Sequence, residues 1–167
     1  MPITLANALP SRLDWHRHRV AEPWPVPPPT AGCDAEFVKL QAGYRSHGGL
    51  VRAEALAACW SVAGTGGYVD LTRYLVAGQL FSLRWHDGVW LPLFQVDAGE
   101  HKVREAPRQV LEAFQGVLGG WDLARWFVGP LAALDGARPV DLLENDLRAV
   151  LAAAQAARES AAREAAA

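Results

Sequence analysis

The chain has 167 residues, 51% of them hydrophobic and 20% charged, with a net charge of −2. A folded domain of this length buries roughly 68–70% of its unfolded surface, so a packed core is expected, and the near-average composition excludes a disordered or fibrous class for the bulk of the chain. Residues 1–95 carry 8 basic against 7 acidic groups and residues 96–167 carry 8 against 11, so neither part has the clustered basic face that bulk electrostatic binding of nucleic acid needs.

In chain order, residues 1–32 include the run PWPVPPPT (Pro23 to Thr30). Its prolines fix φ and remove donors, so it reads as an extended arm or linker. Asp34 caps an expected helix reaching Tyr44, with Phe37, Leu40 and Tyr44 at helical spacing and Gly48-Gly49 as its stop. A second helix is expected over Arg52 to Trp60, followed by the Gly64-Thr65-Gly66-Gly67 connection. A third is expected from the cap Asp70 to Ala77, with Leu71, Tyr74 and Leu75 on one face. The alternation of Phe81, Leu83 and Trp85 with Ser82 and Arg84, then His86-Asp87-Gly88 and VWLPLFQV, predicts a β-hairpin. Pro92 places its strand at an edge.

Beyond the hairpin, Val110, Leu111, Phe114, Val117 and Leu118 form the stripe of a core-facing helix closed by Gly119-Gly120. Trp121 to Val128 is a short helix broken before Pro130, and Pro139 starts one turn of helix. The last helix begins near Asp146, with Asn145 or Asp146 as its cap, and the Ala-rich tail 158–167 is expected to project or fray. The resulting expectation is a mainly α chain with one β-hairpin: arm 1–32, helix-turn-helix-like part 33–96, helical domain 97–157 and tail.

Cys33 and Cys59 have no partner at metal-ligand spacing, and His16 and His18 in HRHR lack a third ligand, so no metal or cofactor is expected. No serine stands in a Gly-x-Ser-x-Gly context, the glycine loop lacks the Lys-Ser/Thr of a phosphate loop, and no catalytic set is identified. No secretory leader or membrane-spanning window is read, which points to the cytoplasm. Two short helices followed by a hairpin have the order of a winged helix, with Tyr68, Thr72 and Arg73 on the second helix and Arg84 and His86 on the wing as candidate DNA contacts.

The corner after Trp126 carries the most specific pattern. Gly136 relieves a turn, Arg138 is biased to extended backbone by Pro139, and Trp126, Leu134, Leu142 and Leu143 form the patch that the turn clamps. The order Trp126-Phe127, Pro130, Leu134-Asp135-Gly136-Ala137-Arg138-Pro139-Val140-Asp141-Leu142-Leu143, then Val150-Leu151 resembles the toxin-binding domain of the Xre/MbcA/ParS antitoxin family over about Phe94 to Ala157. The resemblance implies a non-enzymatic helical antitoxin that blocks a partner toxin, commonly a RES-domain enzyme consuming NAD, and that often represses its own operon. Trp126, Arg138, Pro139, Asp141, Leu142 and Leu143 would then bind the partner or support the corner. The other reading is a transcriptional regulator that binds operator DNA, with a C-terminal domain that makes a homodimer.

Overall fold

Seven α-helices and a small antiparallel sheet make up the computed structural model, which describes residues 33–64, 66–97, 99–114 and 116–165. The Pro23–Thr30 run and the His16–Arg19 segment fall outside the described residues. Helix α1 (Cys33–Tyr44) buries the predicted stripe Phe37, Leu40 and Tyr44. A short 3-10 turn (Arg45–His47) follows, and Gly48, at φ 88°, ends it in the left-handed region that glycine enters without strain.

Strand β1 (Leu50–Arg52) precedes α2 (Ala53–Val62), so Arg52 closes a strand instead of opening the second helix. Three residues are too few to show an alternating period, which is why the strand was not expected. Helix α3 (Tyr68–Val76) starts before Asp70, and the Asp70 carboxylate reaches back to accept the Gly66 amide at 2.7 Å. The hairpin is present as β2 (Leu83–Trp85) and β3 (Gly88–Pro92), with register Leu83↔Trp90 and Trp85↔Gly88.

The sheet order is β1-β3-β2, so β3 is central and the expectation of an edge strand from Pro92 is corrected. The physics behind that expectation survives locally. The Leu93 amide, next in the chain, donates to the Gly49 carbonyl on the β1 side at 3.0 Å. Pro92 therefore faces the other side, where β2 has ended at the pair Leu83↔Trp90, and its missing donor costs no ladder bond.

A 3-10 turn (Leu93–Gln95) leads to a two-stranded ribbon, β4 (Val96–Asp97) with β5 (Lys102–Val103), whose two-residue strands are likewise too short to show a period in sequence. Helix α4 (Glu105–Phe114) ends at Phe114, not at Gly119-Gly120. Gly116, at φ 74°, turns the chain there and leaves Val117 45% exposed, outside the core stripe assigned to it. Helix α5 (Gly120–Val128) comes next, and a Cβ on Gly120 would run into the Ser82 carbonyl, so glycine lets this helix sit against the lead-in to β2.

Helix α6 (Pro139–Leu142) has Pro139 at its first position, as expected. Helix α7 (Leu147–Ala165) is capped by Asp146, whose carboxylate accepts the Ala149 amide at 3.1 Å. The Ala-rich end stays helical to Ala165 with a mostly exposed surface. α4 and α7 run side by side in the same direction, Arg104 pairing with Glu144 at one end and Arg158 donating to the Ala113 carbonyl at the other.

Side chains alternate across the sheet and feed two apolar clusters. Leu83 and Trp85 join Phe37, Leu40 and Tyr44 of α1 and the buried faces of α4, α5 and α7. Leu91, with Val51 and Val89, faces Ala53, Leu56, Ala57 and Trp60 of α2 and Leu71 of α3. The main cluster thus draws on residues from both sides of position 97.

Candidate functional site

The corner between α5 and α7 is built by local backbone pairing first. Leu131 and Ala137 close the loop, the Leu131 amide donating to the Ala137 carbonyl at 3.1 Å and the Gly136 amide to the Leu131 carbonyl at 2.9 Å. Asp135 (φ 53°) and Gly136 (φ 81°) both take left-handed backbone, tolerated by aspartate and free of cost for glycine. Arg138 is extended (φ −88°, ψ 135°), as a residue before proline must be, and this places its side chain beside Asp141 on the first turn of α6.

Arg138 then makes a two-pronged pair with Asp141, Nε to Oδ2 at 2.6 Å and Nη2 to Oδ1 at 2.7 Å. Its remaining Nη1 donates to the Gly43 carbonyl at the end of α1, at 3.3 Å. His47 Nε2 lies 2.8 Å from Asp141 Oδ1. The corner is therefore tied across 94–95 residues of sequence to the turn that follows α1. A bidentate guanidinium–carboxylate pair fixes direction as well as distance, so α6 is set relative to α1 and not only packed on it.

Of the expected corner residues, Pro139 and Leu143 are buried and Leu142 and Trp126 are half-buried, the two leucines and the tryptophan against the main cluster. Trp126 stands edge-on to Phe114 at 4.9 Å and to Phe127 at 5.1 Å, on the α4 side of α5. Sequence reasoning missed His47 and Gly43. No local pattern marks them, because their role exists only once α1 and α6 meet.

The Arg138 guanidinium, with a smaller contribution from His47, holds the Asp141 carboxyl below the usual carboxylate range. A depressed folded-state value means that the contribution of the pair is complete at neutral pH and is lost as pH falls through that value. Both side chains are more than a third exposed or close to it, so the pair is worth about 1 kcal/mol at neutral pH. Asp141→Asn should lower the thermal midpoint by a few degrees at pH 7, and the gap from the parent should close in acid. A gap that is the same at both pH values would remove the ion pair as its cause.

The expected DNA-contact residues lie on two elements, α3 and the hairpin. Tyr68 and Thr72 are exposed on α3, and Arg73 is paired with Asp70 at 2.7 Å while covering the Tyr74 ring. Arg84 lies on β2, where its carbonyl accepts the Trp121 indole N–H at 3.0 Å. His86 occupies the hairpin turn at φ 50°, with Nε2 3.2 Å from the Asp34 carboxylate. Both Arg73 and His86 are thus engaged by acids of the chain itself. Among the described residues, no three His, Cys, Asp or Glu side chains gather to hold a metal ion, and no helix is long and apolar enough to cross a membrane. No family model matches this chain, and no curated protein or solved structure matches it.

Proposed function

We propose that the chain is a non-catalytic, cytoplasmic binding protein of the antitoxin type, whose C-terminal helices grip a partner toxin of the RES-type, NAD-consuming class. The observation that carries this reading is the ion-paired corner. The Gly-Ala-Arg-Pro-Val-Asp-Leu-Leu pattern that suggested the family spends its polar groups on fixing α6 and the start of α7. Its leucines go into the core or halfway into it. Such a corner is a support for a surface, and the exposed groups it presents are Glu144, Asn145 and Arg148, together with the outer side of α7. In this reading Arg138, Pro139 and Asp141 orient the surface and make no direct toxin contact.

The test is calorimetric titration of the full chain against the protein encoded by the neighbouring reading frame, alongside inhibition of its NAD consumption. Tight binding with loss of NAD consumption is expected. Truncation after Ala157 should weaken binding at least tenfold, because it removes the projecting end of α7. Absence of binding by the intact chain would sink the reading.

One observation favours a second reading, a DNA-binding regulator. The element order α1-β1-α2-α3-β2-β3 with sheet order β1-β3-β2 extends the winged-helix likeness of the sequence by one strand. Against it stands the character of α3, whose outward residues Val69 and Val76 are apolar and whose Arg73 is neutralised by Asp70. Phosphate contact and base readout both need polar or cationic groups at such positions.

A further inference from the structure

Two of the indoles around the hairpin donate to acceptors of the chain. Trp85 Nε1 donates to the Asp34 carboxylate at 2.9 Å, and Trp121 Nε1 to the Arg84 carbonyl at 3.0 Å. Trp90 of β3, edge-on to the Trp85 ring at 5.9 Å, differs: its Nε1 is shut off from solvent and has no acceptor among the described residues. An unpartnered buried donor lowers stability, so a fold that keeps one calls for an account of it.

A residue without a side chain leaves room in front of this nitrogen. A Cβ on Gly88 would stand 2.8 Å from Trp90 Nε1 and 3.4 Å from Arg52 Cζ, so an indole N–H and a guanidinium converge on one point above the Gly88 backbone. Arg52 reaches that point from β1 across the pair Arg52↔Trp90, with Cζ 5.3 Å from the centroid of the Trp90 ring. Its Nη2 lies 3.4 Å from Asp87 Oδ1 in the hairpin turn, well beyond the roughly 2.7–2.9 Å of a formed guanidinium–carboxylate bond. The two side chains are 47% and 86% exposed. Asp87 thus balances the charge of Arg52 while holding its donors only loosely.

We propose that this place binds a carboxylate from outside the chain, one oxygen accepting from Trp90 Nε1 and the other from Arg52, whose guanidinium turns outward from the ring to admit it. The incoming carboxylate displaces Asp87 from Arg52. Local charge selects a monoanion. Arg52 supplies a single positive charge there, while Asp87 and Asp34 stand at the same hairpin tip, the latter shared by Trp85 and His86. A doubly charged phosphate would meet more repulsion from these acids than one guanidinium offsets. The site lies by the start of α1, whereas the Arg138–Asp141 corner is tied to its end, and it depends on neither reading of function above.

In the full chain carrying isotope-labelled tryptophan, each indole gives its own Nε1–H resonance, and W90F identifies that of Trp90. Titration with sodium acetate at constant ionic strength should move this resonance downfield to saturation, as an unpaired N–H becomes hydrogen-bonded, while sodium chloride leaves it in place. R52Q should weaken acetate binding roughly tenfold through loss of a charge-assisted partner. Arg52 is exposed, so the far-ultraviolet spectrum of R52Q should match the parent. D87N should strengthen binding by removing the competing carboxylate, and phosphate should bind more weakly than acetate. A blocked peptide with one aspartate tells the sources apart: tighter binding than acetate assigns the site to an acidic side chain of a protein partner, and exclusion of the peptide while acetate binds assigns it to a small free carboxylate. No saturable shift with either carboxylate, equal affinity in R52Q and the parent, or phosphate bound more tightly than acetate would overturn the proposal.

Discussion

Phe127→Ala is expected to cost about 4 kcal/mol of folding stability, within the range for deleting a buried phenylalanine. The ring is fully buried, stacked on Phe81 at 5.7 Å, tilted against Phe94 at 4.8 Å and edge-on to Trp126 at 5.1 Å. It joins the turns flanking the hairpin to the helices of the C-terminal half. Its removal therefore opens a cavity between elements that cannot close on one another without shifting the sheet. Domains of this size have a total stability of about 5–15 kcal/mol, so the variant should unfold at a much lower urea concentration with a similar dependence on urea. Phe127→Leu should lose less than half as much. Equal losses in the two variants would mean that refilling the volume recovers nothing and that the cavity is not the source of the loss.

Gln95→Leu should cost about 3 kcal/mol although leucine is the more hydrophobic residue. Gln95 is fully buried, and its amide accepts the Phe81 N–H at 2.8 Å while donating to the carbonyls of Phe81 and Pro92 at 3.0 and 3.1 Å. Leucine would leave three backbone groups without partners in a site closed to water, and the hydrophobic gain is too small to offset them. Gln95→Glu sharpens the test. A buried glutamate facing two carbonyls ionises reluctantly, so its folded-state pKa lies above the unfolded value. That variant should gain stability relative to the parent as pH falls, and pH-independent behaviour would argue against the assigned contacts.

How much of this could be read from the sequence depends on the length over which each signal acts. The stripe Phe37, Leu40 and Tyr44, the Asp146 cap, Pro139 at a helix start and the hairpin around His86-Asp87 all follow from contacts within a few residues, and the structure has them. The turn differs in detail. His86 carries the positive φ, while Gly88 opens β3 because a Cβ there would crowd the Trp90 indole nitrogen. Strand β1, the β4–β5 ribbon and the place of Pro92 in a central strand depend on pairing partners tens of residues away. Short segments carry no period that reveals such pairing. At the corner, Arg138 and Asp141 stand out in sequence, but the anchoring by Gly43 and His47 arises only when distant elements meet.

That anchoring has a consequence for the order in which the protein is made. Helix α1 holds on to the rest of the chain through Glu36 to Arg125, Tyr44 to the Ala124 carbonyl and Gly43 to Arg138, links spanning 89, 80 and 95 residues. At ribosomal rates of about 5–20 residues per second, α1 emerges on the order of ten seconds before the helices that cover Phe37, Leu40 and Tyr44. During that interval its apolar side is open to chaperones or to other nascent chains, while the α2–α3 unit, whose apolar partners all lie between Val51 and Val103, already has what it needs to close. The main cluster is completed last, and it is completed by the same segment that carries the ion-paired corner.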